Sequence, residues 1–322
     1  MNYSPILVVS GEPNSIFLEI FFKVLKLKNI RSPIILISSE NILKLQMKKL
    51  KFKKKIKILN FEKLNNYKLN NKTINLINVN YKTYRAFEKP SKKSNKYIEN
   101  CFKIAIKLIN SKYSNKLING PIIKENFLNK RFLGITEYIS SNFKTKKTAM
   151  LIFNKKLSVC PITTHLPISM VSKKIKKKLI FEKVNIINKF YKNKIGFKPR
   201  IAVTGLNPHC ESINKVSEDV RIIKPAIKFL KDKGIKISGP YAADTIFLKN
   251  NRSKFDVILG MYHDQVLTPF KTLFEYDAIN ITIGLPFVRV SPDHGPNVSM
   301  LGKNKSNPLS LFKAINFLDK LK

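Results

Sequence analysis

Four histidines occur in this chain of 322 residues, and three of them, His165, His209 and His263, each stand just past a short apolar run. Those runs, residues 157–162, 200–204 and 257–259, read as strands buried on both faces of a parallel sheet. Parallel strands point their carboxyl ends the same way, so imidazoles far apart in sequence can meet at one sheet edge, where open α/β sheets bind ligands. Three neutral imidazoles suit a divalent metal such as zinc, with an open position for water or substrate. Three structural histidines with satisfied hydrogen bonds are the competing reading, because no local His-x-x-x-His spacing is present. His263 and Asp264 could equally cap the helix that follows them.

Other residues near these turns widen the chemistry. Lys271, Asn280 and Arg289 offer two cations and an amide close in sequence to the Tyr262-His263-Asp264-Gln265 cluster, as a clamp for a phosphate or carboxylate would. Lys271 could also be simple solvated surface in so lysine-rich a chain. Asp244 and Asp264 are candidates to orient ligands or accept a proton, and a supporting or capping role is the alternative. Nucleophilic catalysis has no support, because no Gly-x-Ser-x-Gly elbow occurs. Neither the Gly-x-Gly-x-x-Gly fingerprint nor a Gly-x-x-x-x-Gly-Lys loop is present, so a nucleotide would have to bind in another way.

The elements that must position these residues follow an alternating pattern. Apolar runs at 5–9, 34–38, 56–59, 74–79, 117–118, 149–153, 157–162, 200–204, 235–238, 257–259 and 280–283 read as strands. Amphipathic stretches at 15–27, 96–109, 168–191, 218–233 and 309–321, with another from Lys124, read as helices. This alternation predicts a parallel, layered α/β architecture. Most of the 11 glycines fall in the turns between these elements, Gly205, Gly260 and Gly295 close to histidines.

Composition excludes several classes. The 43% hydrophobic fraction and the lack of any membrane-length apolar run or basic-flanked leader predict a soluble cytoplasmic protein. Three scattered cysteines, Cys101, Cys160 and Cys210, fit neither a disulfide framework nor a cysteine-based zinc site. The net charge of +41 invites a polyanion-binding reading, centred on residues 48–57 and 173–179. Lysine is spread over the whole length rather than concentrated with arginine and aromatics, which favours solvated faces.

Six motifs in order, TTHLP from Thr163, GLNPH from Gly205, GPYAADT from Gly239, MYHDQ from Met261, NITIGLPFVR from Asn280 and DHG from Asp293, resemble the 4-hydroxythreonine-4-phosphate dehydrogenase family. The resemblance covers nearly the whole chain. It implies a two-domain α/β/α fold of the isocitrate/isopropylmalate dehydrogenase type with the active site in the interdomain cleft. Residues 1–132 with 296–322 would form one domain, and 133–295 the other, carrying most metal and substrate residues. It further implies a likeness in chemistry: NAD or NADP oxidises the secondary hydroxyl of 4-phosphohydroxy-L-threonine, and loss of carbon dioxide follows, on the route to pyridoxal phosphate. A divalent cation (zinc, magnesium or cobalt) and a homodimer with shared active sites belong to the same expectation. Carried over by position, His165, His209 and His263 look like metal ligands, and Thr136, Lys271, Asn280 and Arg289 like substrate contacts. Asp293, His294, Gly295 and Asn307 resemble the nucleotide-binding loop.

Three positions depart from the family pattern. Ile135 stands where a histidine is expected, which admits a paralogue acting on another phosphorylated hydroxy acid, such as a threonate or erythronate phosphate. Ser299 replaces an acidic residue of the nucleotide loop, weakening preference for NAD over NADP. Ser15 occupies a glycine position in the Gly11-Glu12-Pro13-Asn14-Ser15 turn, which predicts backbone strain there.

Overall fold

The computed structural model describes residues 3–27, 30–123, 127, 132, 134–143, 145, 147–210, 216–292 and 295–321. The chain divides into two compact units, Met1–Lys144 with Pro286–Lys322, and Thr145–Leu285. Strands and helices are numbered along the chain.

In the first unit β1 (Ile6–Val9), β2 (Ile34–Ser38), β3 (Ile56–Ile58), β4 (Ile74–Asn78), β5 (Lys116–Asn119) and β12 (Val288–Pro292) lie in the order β3-β4-β2-β1-β5-β12. Every pairing in this set is parallel. The continuous apolar sequences of β1 and β2 explain why both are buried along their whole length. Helices α1 (Phe17–Val24), α2 (Glu40–Lys49), α3 (Asn95–Asn110), α4 (Ile135–Ser141) and α8 (Leu309–Lys320) belong to this unit.

In the second unit β6 (Ala149–Phe153), β7 (Ser158–Thr163), β8 (Ile201–Thr204), β9 (Ile237–Tyr241), β10 (Val257–Tyr262) and β11 (Ile279–Ile283) take the order β11-β6-β7-β10-β8-β9. Strands β7, β10, β8 and β9 are parallel, whereas β6 runs antiparallel to both β7 and β11. The wholly parallel expectation therefore fails at β6. Only the turn at Asn154 separates β6 from β7, too little chain for a parallel crossover, and the Asn154 side chain closes it by accepting from the Lys156 amide at 2.9 Å. Helices α5 (Lys177–Phe190), α6 (Lys224–Asp232) and α7 (His263–Phe274) complete the unit. Helix α7 seats Val266, Leu267 and Phe270 in a core with Ile152, Val159, Ala202 and Ile258.

Two further expectations change. The stretch 168–191 is not one helix: a short turn of helix, Val171–Lys174, is separated from α5 at Ile175, whose backbone is extended and whose side chain is fully buried. The unit boundaries also move, bringing Thr136 and Arg289 into the first unit. Tyr138 of α4 packs edge-on against Phe102 of α3, with centroids 5.7 Å apart, and β12 pairs with β5. Among the described residues no helix is long and apolar enough to cross a membrane. All three cysteines are free and buried.

Candidate active site

Strands β7, β10 and β8 are neighbours, so their carboxyl ends, which lead to His165, His263 and His209, lie side by side. His165 and His209 hold left-handed backbone, with φ of 33° and 53°, a conformation that costs a non-glycine residue energy and recurs at functional sites. His263 opens α7, whose N-cap is Tyr262, and no side chain caps that end. The capping role considered for His263 and Asp264 is thus not what the structure shows. Asp264 instead holds His263 Nδ1 at 2.6 Å, leaving Nε2 for another partner.

The rings of His165 and His263 have centroids 6.0 Å apart. Two imidazoles sharing an ion at roughly 2.1 Å per nitrogen would have centroids about 5–6 Å apart, so the pair fits a common metal, and the Asp264 contact is the kind that orients a ligating histidine. Thr163, Thr164, His165, Tyr262, His263 and Asp264 surround a hollow of about 270 Å³ at this point. His209 is not brought into the same group: among the described residues no three His, Cys, Asp or Glu side chains come together closely enough to hold a metal. His165 and His263 stand near each other, whereas His209 is exposed and holds left-handed backbone.

Residues outside the expected set fix these strand ends. Gln265 Oε1 accepts from the Met261 amide at 2.7 Å and the Thr204 hydroxyl at 2.8 Å, while Nε2 donates to the Gly205 carbonyl at 2.7 Å. Thr163 donates its hydroxyl to the Met261 carbonyl at 2.7 Å. The buried Asp219 carboxylate accepts from the backbone amides of Leu206 and Asn207 and from Asn207 Nδ2, shaping the Gly205-Leu206-Asn207 turn. Gly205 is required there, since a Cβ would lie 2.6 Å from Cys210 Sγ and 2.7 Å from Asp219 Oδ1. Burial first, then the Asp219 and Asp244 carboxylates, raise the Cys210 thiol against the Gly205 hydrogen bond and Lys224. Asp244 is therefore within electrostatic reach of the turn that carries His209.

Lys271 lies exposed on α7, and Asn280 lies on β11. The Oδ1 atom of Asn280 is buried and has no hydrogen-bond partner among the described residues. In the first unit Arg289 is only 2% exposed; its Nε donates to Asn119 Oδ1 at 2.7 Å and its Nη1 to Thr136 Oγ1 at 3.1 Å. Burial pushes its pKa down to about 10 against the opposing pull of the Glu137 carboxylate, so it stays cationic at neutral pH. Thr136 and Arg289 thus set a hydroxyl and a buried cation side by side.

Of the nucleotide-loop expectations, Asp293 and His294 lie outside the described residues. Gly295 is exposed, and Asn307 Oδ1 accepts from the Leu309 amide at 2.9 Å, in the turn just before α8, whose N-cap is Pro308. The segment before it is clasped by Lys23, whose ammonium donates to Glu19 Oε1 and to the carbonyls of Asn304 and Ser306 at 3.0, 3.0 and 2.7 Å. Ser299 donates to Asn297 Oδ1. The strain expected at Ser15 is absent: its φ is not positive, and its hydroxyl donates to the Glu12 carbonyl at 2.7 Å while accepting from the Phe17 amide.

Residues 29–318 match the family model for pyridoxal phosphate biosynthetic protein PdxA. The 4-hydroxythreonine-4-phosphate dehydrogenase of Sulfurihydrogenibium sp. (strain YO3AOP1) is 40% identical over 253 residues, 77% of each chain. That of Aquifex aeolicus is 40% identical over 192 residues, 59% of each chain. The crystal structure of the Klebsiella pneumoniae 4-hydroxythreonine-4-phosphate dehydrogenase superposes with a TM-score of 0.84 at 26% identity, over 98% of both chains. Strand-end histidines, a buried arginine and these likenesses agree: the chain belongs to the pyridoxal phosphate biosynthetic protein PdxA family, the 4-hydroxythreonine-4-phosphate dehydrogenases.

Proposed function

We propose that this family member oxidises the secondary hydroxyl of 4-phosphohydroxy-L-threonine with NAD or NADP and a divalent metal, the product then losing carbon dioxide. The observation that carries the reading is the His165–His263 pair, with Asp264 behind it, beside a hollow at the carboxyl edge of the sheet. His165, His209 and His263 would hold zinc, magnesium or cobalt, with a second copy of the chain in a homodimer completing the site. When bound, the cation supplies Lewis acidity at the substrate oxygen and the nicotinamide supplies a hydride acceptor.

The chain's own residues supply the rest. Arg289, aligned by Asn119 and Thr136, holds an anionic group of the substrate, and Lys271 adds a second cation. Asn280 Oδ1 accepts a substrate hydroxyl or ammonium proton and so loses its buried isolation. Asp244, near the His209 turn, and Asp264, on His263, take up or pass on the hydroxyl proton. Gly295 and Asn307, with Asp293 and His294, contribute to the nucleotide loop. The protein works in the cytoplasm.

Ile135 favours a second reading. It half-emerges at the start of α4, next to Thr136, and its side chain has no donor for a phosphate or hydroxyl. Purified protein with divalent metal should reduce NAD or NADP with 4-phosphohydroxy-L-threonine. Silence with that substrate but turnover of a threonate or erythronate phosphate would establish the paralogue instead.

A further inference from the structure

We propose that Gln265 is a positioning residue that sets the spacing of the strand ends carrying the histidines, and so tunes the metal site. The inference rests on the metal reading above. Strand β10 lies between β7 and β8, and Met261 near its end is tied to both sides. On the β7 side the Thr163 hydroxyl donates to the Met261 carbonyl at 2.7 Å. On the β8 side Gln265 accepts from the Met261 amide and the Thr204 hydroxyl and donates to the Gly205 carbonyl, each within 2.8 Å.

Each of those contacts sits next to a histidine-bearing segment. Thr163 is two residues before His165, Met261 is two before His263, and Gly205 begins the turn to His209. The ordinary ladder cannot do this work. The paired register of β10 with β8 stops at Leu259 opposite Val203, before the ligand-bearing turns begin. Beyond that point Gln265 links the two chain segments, alongside a longer contact from the Thr204 hydroxyl to the Leu259 carbonyl at 3.5 Å. Its reach depends on Gly260, where a Cβ would stand 2.3 Å from Val266 Cγ1 and 3.3 Å from Gln265 Oε1; a side chain there would push the first turn of α7 off the strand.

A neutral amide also suits the place. It meets two donors and one acceptor at once, which neither a carboxylate nor an apolar side chain can do. It adds no charge beside imidazoles that must stay neutral to bind a cation. Partners of this supporting kind typically alter metal affinity by about 10–100-fold when lost.

The test is titration of the full-length protein with Co²⁺ alone, read by its visible absorption, on wild type, Gln265→Leu, Gln265→Glu, Thr163→Val and His263→Ala. Gln265→Leu should bind Co²⁺ about 10–100-fold more weakly with a shifted spectrum, while thermal unfolding without metal shows a folded protein. Gln265→Glu keeps the two acceptor roles and sets an oxygen against the Gly205 carbonyl, so it should fall between. Thr163→Val, which leaves Gln265 in place, should lose less than Gln265→Leu. Wild-type affinity and spectrum in Gln265→Leu, with His263→Ala impaired, overturn the brace and leave the metal reading standing. Wild-type Co²⁺ binding in His263→Ala as well, or none in the wild type, overturns both. Should Gln265→Leu not fold, Gln265→Glu decides, and unchanged affinity and spectrum in it overturn the proposal.

Discussion

The two ends of the β8–β10 pair are fastened by opposite chemistry. At the amino end Arg200 and Asp256 form a forked ion pair: Arg200 Nε and its backbone amide reach Asp256 Oδ2 at 3.1 and 2.7 Å, and Nη2 reaches Oδ1 at 3.0 Å. At the carboxyl end the fastening is the uncharged amide of Gln265. Charge is tolerated where only stability is at stake and solvent can screen it. At the histidine-bearing end the amide joins two donors and one acceptor at once without adding a charge of its own. One end of the strand pair thus serves folding, and the other, on the proposal above, serves ligand geometry.

That contrast can be broken from either side. The largest expected effect is at the carboxyl end: His263→Ala should lower kcat/KM by about 10³-fold or more, with little change in the urea midpoint of the metal-free protein. A comparable loss of stability would instead make His263 a core residue. Phe270→Ala, on the buried face of the helix that opens with His263, should affect folding and site together, costing about 3–5 kcal/mol by chemical denaturation. Arg289→Met should raise KM for the substrate by about 10²-fold with a smaller change in kcat, since it removes a charge-assisted contact from a buried site.

The smaller effects sharpen the picture. Lys23→Met opens the clasp on the Asn304–Ser306 segment and should raise KM for NAD or NADP a few-fold while leaving Co²⁺ binding unchanged. The smallest belongs to the amino end, where Asp256→Asn should cost about 1 kcal/mol of stability and leave turnover intact. Burial raises the Asp256 carboxyl, but the Arg200 hydrogen bonds and charge outweigh it and hold the pKa below the ordinary value. A depressed folded-state pKa gives stability that is present above the unfolded value and lost as pH falls through the folded one. The gap between wild type and Asp256→Asn, measured by urea unfolding, should accordingly close below about pH 4.

Much of this was readable from particular residues. Short apolar runs ending in rare histidines and glycines located β7, β8 and β10 and the turns beyond them, because strand length and turn chemistry are local properties. β12 has no apolar run to announce it, because Arg289 interrupts the sequence, and its pairing with β5 is a long-range property. The reversal of β6 was signalled by the brevity of the Asn154 turn, a cue that the strand–helix alternation elsewhere outweighed. The break at Ile175 had no local signal, since Lys174-Ile175-Lys176 keeps an amphipathic rhythm, and burial of one side chain decided it. Within the site, residue types named His165, His263 and Arg289. The roles of Gln265, Asn119 and Lys23 depend on bonds to residues 61, 170 and 283 positions away, which no periodicity encodes.

On the proposed reading, metal held by the strand-end histidines enables oxidation of a phosphorylated hydroxy amino acid. Following NADH or NADPH absorbance with 4-phosphohydroxy-L-threonine, before and after chelation and with Zn²⁺, Mg²⁺ or Co²⁺ restored, tests it most directly when His165→Ala, His209→Ala and His263→Ala are run alongside. Turnover that disappears on chelation, returns with the cation, and fails to return in each histidine variant is the predicted result. Turnover that survives chelation and the loss of all three imidazoles would contradict it.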